Sequence, residues 1–279
     1  MMNASPGVNV ATQRKIRARK AGKRSDSYVE SFARGLSVIR AFGPQSRRMT
    51  LTQVADRAML TRAAARRILL TLQTLGYVGV DERRFFLTPR ILDLGYSYLS
   101  SMPLANFAQP IMEDLVAKVE QSSSAAVLDG NDVVYILRVP KHSILTGTGI
   151  SIGARLPAYV SSMGRVLLAA LPDEELKRYL ANVKFHPYTR STVHDRRELA
   201  KELERCRRQG YAVVLDELEE GLCAIAVPIV DAHGRTIAAM NVSRNSGKGA
   251  KQDLVTRVLP ELKRAATRIS SALALHPVA

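Results

Sequence analysis

TRAAARRILLTLQTLGYV, residues 61–78, combines an apolar face with a basic first half. Ile68, Leu69, Leu72 and Leu75 recur at helical spacing, so this segment must bury one side. Thr61 is a good N-cap, and Arg62, Arg66 and Arg67 follow it among alanines. Arg62 and Arg66 are four residues apart and share a face. Small Ala63 and Ala65 close by allow the backbone near a partner surface, and an arginine fork matches guanine O6/N7 or phosphate. The spacing predicts a helix that packs by its leucines and enters a major groove by its N-terminal end. Arg67 is assigned to a phosphate or to an acid of the protein itself. A solvated basic face is the bland alternative, and the neighbouring segments decide against it.

Upstream, TLTQVADRA opens on a capping box of Thr50 and Gln53 and forms a short second helix. Met59 sits in the turn between the two helices, where a left-handed residue other than glycine costs on the order of 1 kcal/mol. Before that, Phe32, Leu36, Ile39 and Phe42 give a helix from Glu30 its apolar face, and Gly43-Pro44 ends it. Downstream, YVGVDERRFFLTP reads as a hairpin turned at Asp81-Glu82-Arg83, a wing carrying Arg83 and Arg84. Three helices and a wing over residues 28–88 make a winged helix-turn-helix. Its candidate DNA contacts are Thr50, Thr61, Arg62, Ala63, Ala65, Arg66, Arg67, Arg83 and Arg84.

Charge points the same way. The net charge is +16 over 279 residues, and residues 1–24 hold seven Lys or Arg and no acid. Residues 25–90 hold eleven against five, and the remainder twenty-three against twenty. A basic first third marks a polyanion partner. Residues 1–27 lack hydrophobic periodicity and read as a disordered basic tail. No run of eighteen apolar residues and no signal-peptide core appear, so a cytoplasmic, nucleoid-associated protein is expected, with no membrane partner. Two cysteines without C-x-x-C spacing suit a reducing compartment, and five scattered histidines form no metal pair.

Thr88-Pro89 reads as an N-cap with proline at the first helical position, opening a linker helix over 89–102 that stops before Pro103. Residues 103–279 then alternate helices and strands. NFAQPIMEDLVAKVEQ is helical; SSAAVLDGNDVVYILRV is a hairpin; SSMGRVLLAAL, DEELKRYLA and RRELAKELERCRRQ are helical. Strands YAVVLDE, CAIAVPIV and RTIAAMNVS follow, then a helix from about Gln252 to Leu275 with a bend expected at Pro260. The pattern is α+β with an antiparallel sheet.

The segments SFARGLSVIRAFG, LTQVADRAMLTRAAARRILLTLQTLGYV, GARLPAYVSSMGRVLLAAL and GYAVVLDELEEGLCAIAVPIVDAHGRTIAAMNVS together resemble the IclR family of bacterial transcriptional regulators. RAAARRILLTL, LPAYVSSMGRVLLA and ELEEGLCAIAVPI are similar to its PcaR and PobR type subgroup, which controls aromatic-acid breakdown through the β-ketoadipate route. The resemblance implies a winged helix, a linker helix in dimer contacts and a GAF-like effector-binding domain. It also implies a homodimer or homotetramer on double-stranded operator DNA, with RNA polymerase as a further partner and no cofactor. The effector would be a small aromatic or dicarboxylic acid such as protocatechuate, 4-hydroxybenzoate or β-ketoadipate. Carried over by position, its pocket includes Ser162, Met163, Glu217, Cys223, Ala224, Asn241 and Ser243.

Elementary chemistry agrees with that place. Backbone N–H groups at the start of the helix near Ser161 attract a carboxylate, and Ser162, Ser243 and Asn241 donate hydrogen bonds. Met163, Leu222 and Ile225 offer apolar walls, and Arg138 a cation. Each has a plain alternative: Met163 and Cys223 as core, Asn241 and Ser243 facing solvent, Arg138 bridging to an acid. An enzyme using Cys223 with His194 or His233 finds no nucleophile elbow, and GTGISIG has the wrong spacing for a dinucleotide loop. A sequence-independent nucleic-acid binder would not need the large, nearly neutral C-terminal part.

Overall fold

The computed structural model describes residues 27–43, 45–101, 103–141 and 151–275. The basic tail before Ser27, His142, His276 and residues 147–150 of the GTGISIG stretch lie outside them. The chain divides into two compact units, Met1–Gly95 and Tyr96–Ala279.

The first unit runs α1 (Glu30–Ala41), β1 (Met49–Thr50), α2 (Leu51–Ala58), α3 (Arg62–Thr74), β2 (Val78–Asp81) and β3 (Arg84–Leu87). The strands form an antiparallel sheet in the order β1-β3-β2. Val38, Val54, Leu69, Leu72 and Val78 make the core. Both arms of the Thr50–Gln53 capping box form, and the Thr61 hydroxyl accepts the Ala64 N–H at 3.2 Å. Met59 takes the left-handed conformation, φ 55° and ψ 42°. Glu82 and Arg83 are left-handed too, as a two-residue hairpin turn requires.

Three expectations hold only in part here. Helix α1 packs through Val38 and Ala41 with Ile39 and Phe42 beside them, whereas Phe32 (69% exposed) and Leu36 (38%) lie on the surface of the described residues. Leu75 follows the last turn of α3 and is half exposed. Thr88 stands at the N-cap of a 3-10 turn with Pro89 at its first position, but its side chain makes no capping bond. Its hydroxyl donates to the Gly76 carbonyl at 2.5 Å, tying the wing back to the end of α3, and a 3-10 turn (Pro89–Ile91) leads into α4 (Leu92–Ser100).

The second unit contains α5 (Pro103–Val119), β4 (Ser122–Asp129), β5 (Asp132–Val139), β6 (Arg155–Pro157), α6 (Ser162–Ala169), α7 (Asp173–Asn182) and α8 (Arg196–Gln209). It continues with β7 (Ala212–Leu215), β8 (Leu222–Val230), β9 (Thr236–Asn245), α9 (Ala250–Asp253) and α10 (Leu259–Leu275). Six strands form one antiparallel sheet, β6-β5-β4-β9-β8-β7. Alternation gives it two buried faces. Ile225, Val227, Met240 and Val242 pack against α5 and α10. Ala126, Ala226 and Ala239 point the other way, toward α6 and α8. Helix α5 begins three residues before the apolar pattern and runs through Pro110. Just before Pro260 lies a π turn (Leu254–Val258), in which Leu259 donates to the Leu254 carbonyl.

Candidate DNA-reading helix and effector cavity

On α3, Arg62, Ala63, Arg66 and Arg67 are exposed, as are Arg83 and Arg84 in the wing. Among the described residues none of these arginines is held by an ion pair, so their charge is available to a polyanion. The acid that Arg67 was given as an alternative partner is therefore not found among them. Arg67 borders the groove between α1 and α3 with Ala64, Ile68 and Thr71, on a different flank from Arg62. Thr50 spends its hydroxyl and its N–H inside the capping box. Ala65 has to be corrected: it is 0% exposed and cannot touch DNA. The spacing Ala65, Leu69, Leu72 places it on the buried stripe, where its small size lets α3 pack closely on the helices before it.

In the second unit a narrow cavity of about 40 Å³ lies between the sheet and the start of α6. Arg138, Ser162, Ala224, Asn241 and Ser243 line it, together with Ser124, Tyr135, Leu156, Val160, Ser161, Val214, Leu218 and Leu222. Strand register assembles the polar floor. Ser124 stands opposite Arg138 on one side and Asn241 on the other, and Ser243 opposite Ala224 one rung along. The Asn241 Oδ1 accepts the Ser124 N–H at 3.1 Å, which leaves its Nδ2 to donate.

The roof is the N-terminus of α6. Ser161 caps it, its hydroxyl accepting the Gly164 N–H at 2.9 Å. The first-turn amides of Ser162 and Met163 have no acceptor in the helix, as at any helix start. The Ser162 Oγ is buried with no hydrogen-bond partner, a costly state for a hydroxyl unless a ligand completes it. Gly164 permits this approach: a Cβ there would stand 2.0 Å from the Ala158 carbonyl oxygen.

Tyr135 and Arg138 are three residues apart and would face opposite sides of a regular strand. Between them Ile136 is an extra residue: Ala125 pairs with Leu137 but Ala126 with Tyr135. This bulge reverses the alternation and turns both side chains to the cavity. Burial pushes the Tyr135 phenol up to about 12, with the Arg138 charge opposing, so it stays a neutral donor.

Four assignments need correction. The Met163 side chain is 0% exposed in the α6 core, leaving only its backbone amide near the cavity. Ile225 and Cys223 point to the α5 and α10 face, as the alternation along β8 dictates. Glu217 turns away from the cavity and pairs with buried Arg165, Oε2 to Nη2 2.6 Å. The Cys-His alternative loses its geometry as well: burial raises the Cys223 thiol, and His194, its Nδ1 2.9 Å from the Thr192 carbonyl oxygen, follows Val193, which packs on the other sheet face.

Against known proteins, residues 31–82 match the model of the IclR helix-turn-helix domain, and residues 96–271 that of the bacterial transcriptional regulator IclR C-terminal domain. The chain belongs to the IclR family. Within it, the chain is 43% identical to the Pca regulon regulatory protein of Pseudomonas putida, over 84% of this chain and 81% of that one. It is 37% identical to the p-hydroxybenzoate hydroxylase transcriptional activator of Acinetobacter baylyi, over 88% and 92% of the two chains. Among solved structures, a transcriptional regulator of Rhodococcus sp. RHA1 is 49% identical with a TM-score of 0.80, covering 90% of this chain and all of that one. An IclR homolog from Microbacterium hydrocarbonoxydans complexed with 4-hydroxybenzoate is 25% identical with a TM-score of 0.77, over 88% and 99% of the chains. No helix among the described residues of this IclR-family chain is long and apolar enough to cross a membrane.

Proposed function

We propose that this chain is a ligand-responsive regulator of aromatic-acid catabolic genes, binding double-stranded operator DNA by α3 and the wing and a small carboxylate in the cavity. The observation that carries the effector half is the unpartnered, buried Ser162 hydroxyl at the start of α6, facing a floor that holds Arg138, Asn241 and Ser243. Open amides, hydroxyls and a cation suit a carboxylate, while Leu156, Val160 and Leu222 suit a ring. The Pca and p-hydroxybenzoate regulators among the relatives and the 4-hydroxybenzoate complex of the Microbacterium homolog support an aromatic acid. Protocatechuate, 4-hydroxybenzoate and the dicarboxylate β-ketoadipate are the acids to try.

The division of labour is residues 28–88 for DNA, 89–102 for the linker and 103–279 for the effector, with residues 1–27 as a basic tail that adds phosphate contacts. Exposed Leu92, Leu94, Tyr96 and Tyr98 along α4 support a linker that pairs with a second copy, in a dimer or tetramer that acts on RNA polymerase. The test uses an operator selected from random duplexes and fluorescence anisotropy. Arg62→Ala and Arg66→Ala are each expected to lose about tenfold or more in affinity and to relax preference at one base. Unchanged affinity and preference in both would remove α3 from the reading.

A further inference from the structure

Arg165 lies on α6 one turn beyond the cavity roof, is 2% exposed, and touches nothing that an effector would touch. Its guanidinium nevertheless holds both walls. The Nε donates to the carbonyl of Tyr159 at 3.0 Å, immediately before the wall residues Val160 to Ser162. The Nη2 donates to the Glu217 carboxylate at 2.6 Å, immediately before the wall residue Leu218. The same Glu217 oxygen accepts the Val193 N–H at 3.1 Å, and the Glu217 carbonyl accepts the Thr192 hydroxyl at 2.6 Å. The loop that carries Leu218 is closed at its base by Asp216, whose Oδ1 accepts the Gly221 N–H at 2.8 Å and the Ser246 hydroxyl at 2.6 Å. It is thus a preformed flap closed at its base, its seat against α6 set by the Arg165–Glu217 pair, while the Arg165 Nη1 also lies 3.8 Å from Glu202 on α8.

A buried pair is an expensive way to gain stability alone, since apolar side chains of equal volume often do as well. What it adds is a fixed geometry: a planar fork satisfied on two edges allows one spacing between the roof and the flap. We infer that Arg165 and Glu217 are positioning residues for the cavity, a latch that sets how closely the Leu218 flap seats on the start of α6. They thereby govern how tightly an effector is held, without contacting it. The inference rests on the cavity being the effector site, but the latch itself can be tested with no ligand.

Amide hydrogen exchange on the full chain compares wild type with Glu217→Gln, which keeps the shape and removes the charge. Arg165→Lys, which keeps the charge and removes the fork, is the second variant. A latch predicts that exchange rises about tenfold or more in residues 159–165 and 216–222 together, while α10 is unchanged and reports an intact fold. Faster exchange in residues 216–222 alone, or in neither segment, overturns it. Calorimetry with 4-hydroxybenzoate adds a second reading: Glu217→Gln is expected to weaken binding about tenfold. Equal affinities in the two proteins would contradict the latch. A wild type that binds no acid refutes the aromatic-acid reading, and the exchange result still decides the latch.

Discussion

Ala63 and Ala65 are two positions apart on α3 and have opposite environments, one exposed and one fully buried. Substitution by glutamate separates the two roles of the helix. Ala65→Glu places an unpaired carboxylate in the first unit's core and is expected to cost about 3 kcal/mol or more, seen as a large fall in the unfolding midpoint. Ala63→Glu should leave that midpoint nearly unchanged and weaken DNA binding by adding a negative charge at the proposed contact face. Loss of stability in both, or in neither, would mean that the helix is turned differently about its axis. The buried stripe through Leu69 and Leu72 was legible in the sequence, but Ala65's place on it was not, because an alanine is small enough for a core or for a contact surface and only its burial decides. Glu217 is a similar case at the effector end. It entered the pocket only by position from the family resemblance, and its partner Arg165, fifty-two positions away, leaves no local trace.

At the level of elements, the helices, hairpins and turns of both units follow from spacing and capping, and nearly all were readable. The bulge at Ile136 was not, because it shows only when β4 and β5 are laid side by side. Without it Tyr135 stays invisible as a cavity residue, and Arg138 is found only by its charge. Helix α6 is the other element on which the cavity depends. Its N-terminus approaches the Ala158 backbone so closely that only glycine fits at position 164. Gly164→Ala is therefore expected to destabilise the second unit by about 3 kcal/mol and to reduce effector binding beyond what stability explains, since the roof must move. Calorimetry of unfolding and of ligand binding on the same variant checks both effects. A well-folded Gly164→Ala protein with unchanged affinity would show that the roof does not bind the acid.

For the whole molecule, the charge lies in the first third of the sequence and the cavity in the remaining two thirds. One unit meets the polyanion and the other meets the small acid, and regulation requires a coupling free energy between them. Such a coupling is reciprocal: an acid that changes operator affinity must have its own affinity changed by the operator to the same extent. In the proposed reading the polar groups around Ser162 meet the acid, and the exposed arginines on α3 and the wing meet the polyanion. The most direct measurement is operator affinity by anisotropy, at fixed salt, with and without saturating 4-hydroxybenzoate, protocatechuate or β-ketoadipate. At least one acid should shift the dissociation constant by about fivefold or more in wild type, and the shift should vanish in Ser162→Ala combined with Asn241→Ala. Operator affinity that ignores all three acids, or a shift that survives the double substitution, would contradict a regulator governed from this cavity.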